Sequence, residues 1–181
     1  MKSFRSKILF LVLFTALLWA LELMNVVSGG LLDRLGALHP RTLPGLWQIF
    51  TAPFLHANFH HLFSNTLGLL MVGSLTLLEG AFMEVTAISI VVGGLGVWLF
   101  GAPHSAELGF SGVLFGMMGF LMARGLFSRR ARPILISLLA LFWFGGSLQL
   151  GLIPHNGISW AGHFWGFVGG VVTARVLSRR R

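Results

Sequence analysis

Side chains that could carry out acyl transfer occur at three separated places in the chain: Ser111, His163, and the pair His61 and Asn65. A serine becomes an effective nucleophile when a neighbouring base accepts its proton, and histidine suits that task because its ordinary pKa lies near neutrality. The tetrahedral intermediate then needs donors for its oxyanion, and side chains at i and i+4 share one helix face. These residue types predict Ser111 as nucleophile, His163 as base, and His61, Asn65 and the backbone N–H of Ser111 as oxyanion donors.

The segments that hold these residues are apolar enough to cross a membrane. Hydrophobic residues make up 55% of the 181-residue chain and charged residues 10%, which is too apolar for the surface of a water-soluble domain of this size. A helix needs about 20 apolar residues to span the hydrocarbon core. Six stretches qualify, and they are residues 8–27, 58–78, 82–100, 110–127, 133–150 and 159–177. The sequence therefore predicts an all-α membrane protein, one domain over residues 1–181 with six transmembrane helices.

Basic residues predict the orientation of this bundle. With a cytoplasmic N-terminus, all of the 13 lysines and arginines except Arg34 and Arg41 fall on the cytoplasmic side. The positive-inside rule then places both termini in the cytoplasm. The net charge of +8 comes from these clusters, so we predict a lipid bilayer and no nucleic acid as partner. A cleaved signal peptide is the alternative for the first stretch, but its length favours a retained anchor.

The candidate residues converge on one layer of the predicted bundle. The second, fourth and sixth helices all begin on the outer side, and their polar residues lie within about two turns of those ends. Polar groups inside a membrane are costly, so each one raises a functional question. The alternatives are a Ser111 hydroxyl bonded to its own helix, an Asn65 that joins two helices, and a purely interfacial His163.

Glycines at four-residue spacing support the convergence. They are Gly112 and Gly116 on the fourth helix and Gly162, Gly166 and Gly170 on the sixth. Small residues let helix backbones approach closely, and a Ser–His hydrogen bond of about 2.6–3.2 Å requires such an approach. Packing alone would also explain these glycines, and the two interpretations are compatible.

An acidic third member of a catalytic triad is not evident. Glu79 and Glu84 fall on the predicted inner side, far from the candidate site. Glu107 and Asp33 lie in predicted outer loops, where we expect them to be solvated. The sequence therefore predicts a Ser–His dyad without an acid.

The chain resembles the rhomboid intramembrane proteases. Gly109-Phe110-Ser111-Gly112 is similar to the family's Gly-x-Ser-Gly, and the segment 163–170 is similar to its His-x-x-Gly-x-x-x-Gly. His56, His61 and Asn65 are similar to its His-x4-His-x3-Asn. The resemblance implies the same nucleophile, base and oxyanion residues. The supporting residues that it implies are His56, Gly109, Gly112, Phe115, Gly166 and Gly170.

What the resemblance implies is a serine endopeptidase that cuts single-pass membrane proteins near the outer face through an acyl-enzyme, without metal or cofactor. Its site would face the periplasm or the extracellular side of the cell (inner) membrane. The fifth helix and the loop 151–159, with Gly151, Pro154 and Gly157, are the hypothetical gate. This chain differs from the usual family pattern at Gln48, where arginine is common, and at Phe115, where tyrosine is common.

Two other functions remain open at this point. His56 and His60 are four residues apart, and His61, His155 and His163 add imidazoles on the predicted outer side, so a metal site is one alternative. The other is an inactive rhomboid-like scaffold that binds membrane proteins without cutting them. The lack of a His-Glu-x-x-His motif argues against the first, and the complete set of dyad and oxyanion residues argues against the second.

Overall fold

The computed structural model describes residues 3–128, 130–153 and 159–179, and within these residues it contains helices and turns but no strand. Two short helices, α2 and α3, occupy Leu31–Gly36 and Leu43–Gln48 in the first loop. A rod over Phe59–Leu78 consists of α4 (Phe59–Gly68), a π-helical segment (Leu69–Gly73) and α5 (Ser74–Leu78). The remaining long helices are α1 (Phe4–Val27), α6 (Phe82–Phe100), α7 (Ser111–Ser128), α8 (Ala131–Leu152) and α9 (Trp160–Arg179).

Four of the described helices are long and apolar enough to cross a membrane. They are Phe4–Val27, Phe59–Leu78, Phe82–Phe100 and Ser111–Ser128. In α8, a described apolar segment covers Ala131–Gly146. The fold is therefore an all-helical membrane bundle, while six crossings and cytoplasmic termini remain predictions.

The central helix of the bundle is α7. It packs against the Phe59–Leu78 rod, α6, α8 and α9, and most of its residues from Val113 to Gly125 are buried. Apolar or small residues occur all around it, which is typical of a helix with no face toward the surroundings. The N-terminus of this central helix is Ser111.

Backbone contacts join α9 to α7 and to α6. A Cβ atom on Gly166 would collide with the carbonyl oxygen of Gly112, and one on Gly170 would collide with that of Gly116. A Cβ on Gly93 of α6 would lie 3.3 Å from the Cα of Gly166. Glycine is required in this seam because the helix backbones themselves are in contact.

The first half of α8 is fastened to α7 through a serine. The Ser137 hydroxyl donates to the Leu121 carbonyl at 2.7 Å and accepts from the Gly125 N–H at 2.8 Å. Further along α8 the packing loosens, since Phe142 is 81% exposed and a Cβ on Gly146 would meet no atom within 4 Å. The two halves of α8 therefore differ in how firmly the bundle holds them.

The first loop is fastened to the bundle at the same end as Ser111. Buried Gln48 accepts from the backbone N–H of His39 at 3.2 Å and donates to the Leu35 carbonyl at 2.9 Å. Arg41 donates to the carbonyls of Leu99 and Gly101, both at 3.0 Å, at the end of α6. Gln48 thus gives this loop internal hydrogen bonds at the position where arginine is common in the resembled family.

Candidate active site

Ser111 and His163 lie within hydrogen-bond distance of each other. Ser111 is the first residue of α7 and His163 lies in the first turn of α9. The Oγ of Ser111 and the Nε2 of His163 are 2.9 Å apart, and His163 is only 9% exposed. The glycine seam between α7 and α9 makes this short separation possible. The geometry suits a hydroxyl that donates to an imidazole nitrogen.

The second ring nitrogen of His163 faces the backbone. Its Nδ1 is 2.9 Å from the carbonyl oxygen of Gly151. Because a carbonyl can only accept, this contact assigns the proton to Nδ1 and leaves the Nε2 lone pair for the Ser111 hydroxyl. A backbone carbonyl therefore occupies the position that an acid holds in a Ser-His-Asp triad. Because every residue has a backbone carbonyl, the sequence carries no signal for this acceptor and did not predict it.

Gly151 belongs to the last turn of α8 and is buried. The loop predicted over residues 151–159 is therefore wrong at its first residue, because Gly151 is still part of the helix. A Cβ at position 151 would collide with the Phe115 ring, so glycine is needed where α8 approaches the site. Pro154 and Gly157 of the hypothetical gate lie outside the described residues, as does His155.

Phe115 positions the imidazole from one side. Its ring lies parallel to the His163 ring, with 4.1 Å between centroids and an interplanar angle of 1°. Stacking restricts rotation of the imidazole about its Cβ–Cγ bond. Phe115 and the Gly151 carbonyl together fix the plane and the tautomer of His163.

The two candidate oxyanion residues lie beside the turn that precedes Ser111. Gly109 has φ of +120°, a conformation that favours glycine. A Cβ at this position would lie 2.9 Å from Nε2 of His61 and 3.6 Å from Nδ2 of Asn65. Asn65 is 4% exposed, and its Nδ2 has no hydrogen-bond partner among the described residues. A buried amide donor without a partner is available to a ligand oxygen.

His56 supports the same turn through a hydrogen bond to its backbone. It is fully buried, and its Nε2 accepts a long hydrogen bond of 3.5 Å from the Phe110 N–H. Burial, and then the nearby His61, lower the pKa of His56 to about 4. The ring is therefore neutral at physiological pH, as an acceptor at Nε2 must be.

Neither outer acid is fully solvated, which corrects the sequence-based expectation. Glu107 is half-buried, accepts from the Ser105 hydroxyl at 2.9 Å and pairs its backbone with Leu38. Asp33 is also half-buried, and burial raises its pKa while a hydrogen bond from Asn25 lowers it.

Two cavities meet at Ser111. The first, of about 60 Å³, lies between the first loop, α6, α7 and α9, and both Ser111 and His163 line it. The second, of about 310 Å³, lies between the Phe59–Leu78 rod, α7 and α8, and both Ser111 and Asn65 line it. Within the described parts of the chain, no three His, Asp or Glu side chains come together as metal ligands.

Comparison with known proteins gives the family. The family model described as Rhomboid domain matches residues 44–180. An uncharacterized protein of Mycobacterium tuberculosis is 45% identical over 176 residues, which cover 91% of this chain and 72% of that protein. An uncharacterized protein of Mycobacterium leprae is 42% identical, with coverage of 91% and 69%. RHOMBOID-like protein 5 of Arabidopsis thaliana is 27% identical over 161 residues, with coverage of 82% and 50%. The chain is an integral membrane protein that belongs to the Rhomboid family.

Proposed function

We propose that this protein is an intramembrane serine endopeptidase that cuts single-pass membrane proteins. The observation that carries the proposal is the 2.9 Å contact between Ser111 Oγ and His163 Nε2, on an imidazole whose Nδ1 faces the Gly151 carbonyl. Both nitrogens then have the protonation that general-base catalysis requires.

In the proposed reaction, Ser111 Oγ attacks the scissile carbonyl carbon while its proton passes to Nε2 of His163. The oxyanion accepts hydrogen bonds from the Ser111 N–H, the Asn65 amide and His61. The intermediate collapses as His163 returns the proton to the leaving amine, which leaves an acyl-enzyme ester. Water then attacks the ester while His163 takes its proton, and His163 returns that proton to Ser111 Oγ as the acyl–oxygen bond breaks and the new carboxylic acid departs.

Water for the second step has a place beside the dyad. The cavity of about 60 Å³ next to His163 also holds the hydroxyl of Ser89, which is buried and has no partner among the described residues. A cavity needs roughly 10–15 Å³ of such volume to hold one water molecule. The site therefore has room for a few waters beside the ester that they would attack.

Substrate would approach from the opposite side of Ser111. The cavity of about 310 Å³ is bounded by Met71 near the middle of the rod and by Trp143 of α8. Since α8 packs loosely at this level, we propose its outer half as the moving gate. In the predicted orientation, with six crossings and cytoplasmic termini, cleavage occurs near the periplasmic or extracellular face of the cell membrane.

Purified protein in detergent, incubated with a generic single-pass substrate, tests the proposal. We expect cleavage by the wild type and none by Ser111→Ala or His163→Ala. Asn65→Ala should retain binding but lose about 10²-fold in kcat, the usual effect of an oxyanion donor. Cleavage that survives both dyad substitutions would place the chemistry elsewhere. If the wild type cuts nothing, failure of a fluorophosphonate probe to label Ser111 would refute an activated serine.

A further inference from the structure

Another cavity, lined by polar residues, lies at the end of the bundle opposite to Ser111. Its volume is about 220 Å³, and the ends of α5, α7 and α9 meet the start of α8 around it. The charged and hydroxyl residues that line it are Glu79, Arg124, Ser128, Arg130, Arg132 and Ser178. None of them belongs to the candidate active site.

Positive charge exceeds negative charge in this cavity. Glu79 forms an ion pair with Arg124 at 2.9 Å and accepts a hydrogen bond from Arg132 at 3.0 Å. The Glu79 and Arg124 side chains are each 6% exposed, whereas Arg132 is 75% exposed. With exposed Arg130, the described residues of the lining place three guanidinium groups against one carboxylate, a net charge of +2. Arg130 and Arg132 stand at the rim, where an anion from outside can reach them.

An apolar groove begins where the charged cavity ends. Pro133 lines the cavity, and the next residue, Ile134, lines a groove of about 740 Å³ between α7, α8 and α9. Leu126 and Leu138 also line the groove and are 78% and 60% exposed. Ser137 is its single polar side chain among the described residues, and its hydroxyl is already bonded to α7. The groove thus offers apolar surface to a long hydrocarbon chain.

We propose that this pair of cavities binds one phospholipid with a negatively charged headgroup. The phosphate lies between Arg130 and Arg132, because guanidinium groups match phosphate geometry. One acyl chain lies in the groove beside Leu126 and Leu138. Basic pockets between transmembrane helices bind such headgroups where an anionic leaflet supplies them. A free phosphate would use the arginines alone and leave the groove without a role. The proposal is independent of proteolysis.

Native mass spectrometry of the delipidated full chain in detergent tests this site. Dioleoyl phosphatidylglycerol is titrated against dioleoyl phosphatidylcholine, which has the same chains but no net charge. We expect one tightly held phosphatidylglycerol. Arg130→Gln with Arg132→Gln should weaken it about 30-fold, the effect of two arginines near an anionic surface. The phosphatidylcholine affinity should not change.

A matched pair of substitutions separates the site from general charge. Arg5 and Arg179 are exposed on the same end of the bundle and do not line the cavity. Arg5→Gln with Arg179→Gln removes the same charge and should weaken binding roughly threefold or less, because screening reduces the effect of distant charges. Arg130→Gln alone leaves both Glu79 pairs intact, should weaken binding about fivefold, and serves if the double variant does not fold.

The groove has its own test. Leu138→Trp partly fills it and should weaken dioleoyl phosphatidylglycerol at least as much as Arg130→Gln does. Equal loss of lipid in the Arg5 and Arg179 control, or equal binding of phosphatidylcholine, would overturn the proposal. Inorganic phosphate that displaces the lipid at millimolar concentration while Leu138→Trp has no effect would show a soluble-anion site instead.

Discussion

In the seam between α7 and α9, Gly166 and Gly170 of α9 face the backbone of α7. A Cβ on Gly166 would collide with the Gly112 carbonyl, whereas a Cβ on Gly146 in the middle of α8 would meet no atom within 4 Å. The same residue type therefore serves close packing in one region and is surrounded by open space in the other. Ser111 and His163 lie on the tightly packed pair, and the Gly151 carbonyl lies on the loosely packed helix.

This difference separates positioning from motion. The two dyad side chains are fixed relative to each other because their helices cannot slide without a backbone collision. The described part of α8 is attached at Ser137 near its start and at Gly151 in its last turn. Between these points Phe142 and Trp143 are 81% and 66% exposed. In the proposed gating, α8 can open while Ser111 and His163 keep their positions relative to each other.

Gly166→Ala should have the largest effect on the comparison. The added methyl forces α9 away from α7, so we expect the free energy of unfolding to fall by about 3 kcal/mol or more and cleavage to be lost. Gly146→Ala is the control and should stabilise by roughly 0.5–1 kcal/mol, because alanine favours a helix over glycine. Unfolding in detergent and substrate cleavage measure both. Equal destabilisation by the two substitutions would erase the contrast between the seam and α8.

A crosslink between the rod and α8 tests motion directly. The chain contains no cysteine, so Met71→Cys and Trp143→Cys, which face the same cavity, can be joined by a bis-maleimide. We expect cleavage of a membrane substrate to fall to the level of Ser111→Ala, while a small fluorophosphonate still labels Ser111.

The matched crosslink joins α8 to α7 in its firmly held half. Leu126→Cys and Leu138→Cys both line the groove at the opposite end of the bundle from Ser111. Cleavage should survive this crosslink, since that part of α8 has no need to move. Full activity with the Met71–Trp143 crosslink would eliminate α8 as the gate.

The free energy of unfolding should depend on pH through His56, which supports the turn ahead of Ser111. The folded pKa of about 4 lies below the ordinary value of 6.5, so the unfolded chain binds the extra proton between these values. The stabilisation of the folded state by neutral His56 is complete above pH 6.5, decreases as the pH drops, and is lost near pH 4. It amounts to about 3 kcal/mol. The difference in unfolding free energy between wild type and His56→Gln should shrink over this range, and a constant difference would contradict the assignment.

Ser137→Ala should destabilise the protein less than Gly166→Ala does. It leaves the buried Gly125 N–H without its acceptor, which costs about 1–2 kcal/mol. Ser74→Ala is the control, because the Ser74 hydroxyl donates to the Met71 carbonyl within the same rod and its loss should cost less than about 0.5 kcal/mol. Chemical denaturation in mixed micelles compares them. Similar values for both would show that Ser137 does not anchor α8.

Much of the candidate site could be predicted because its chemistry depends on side chains with recognisable types and spacing. Ser111, His163 and the four-residue glycine spacing have recognisable chemistry and periodicity, so their convergence could be predicted before any coordinates. The Gly151 carbonyl could not, since every residue has a carbonyl and only the path of α8 directs this one at His163. The half-burial of Glu107 depends on its backbone pairing with Leu38, a contact between distant segments that has no local signature. The π-helical segment at Leu69–Gly73 likewise lies in an ordinary apolar run.

The place of the Gly151 carbonyl has a consequence for timing. If α8 swings outward to admit a substrate, its last turn carries the carbonyl away from Nδ1 of His163, and the imidazole loses the contact that fixes its tautomer. The serine then has no correctly protonated base until α8 returns. In the proposed reaction, closure of α8 is therefore coupled to catalysis. While α8 is open Ser111 is inactive, and only a substrate segment that allows α8 to close is cut.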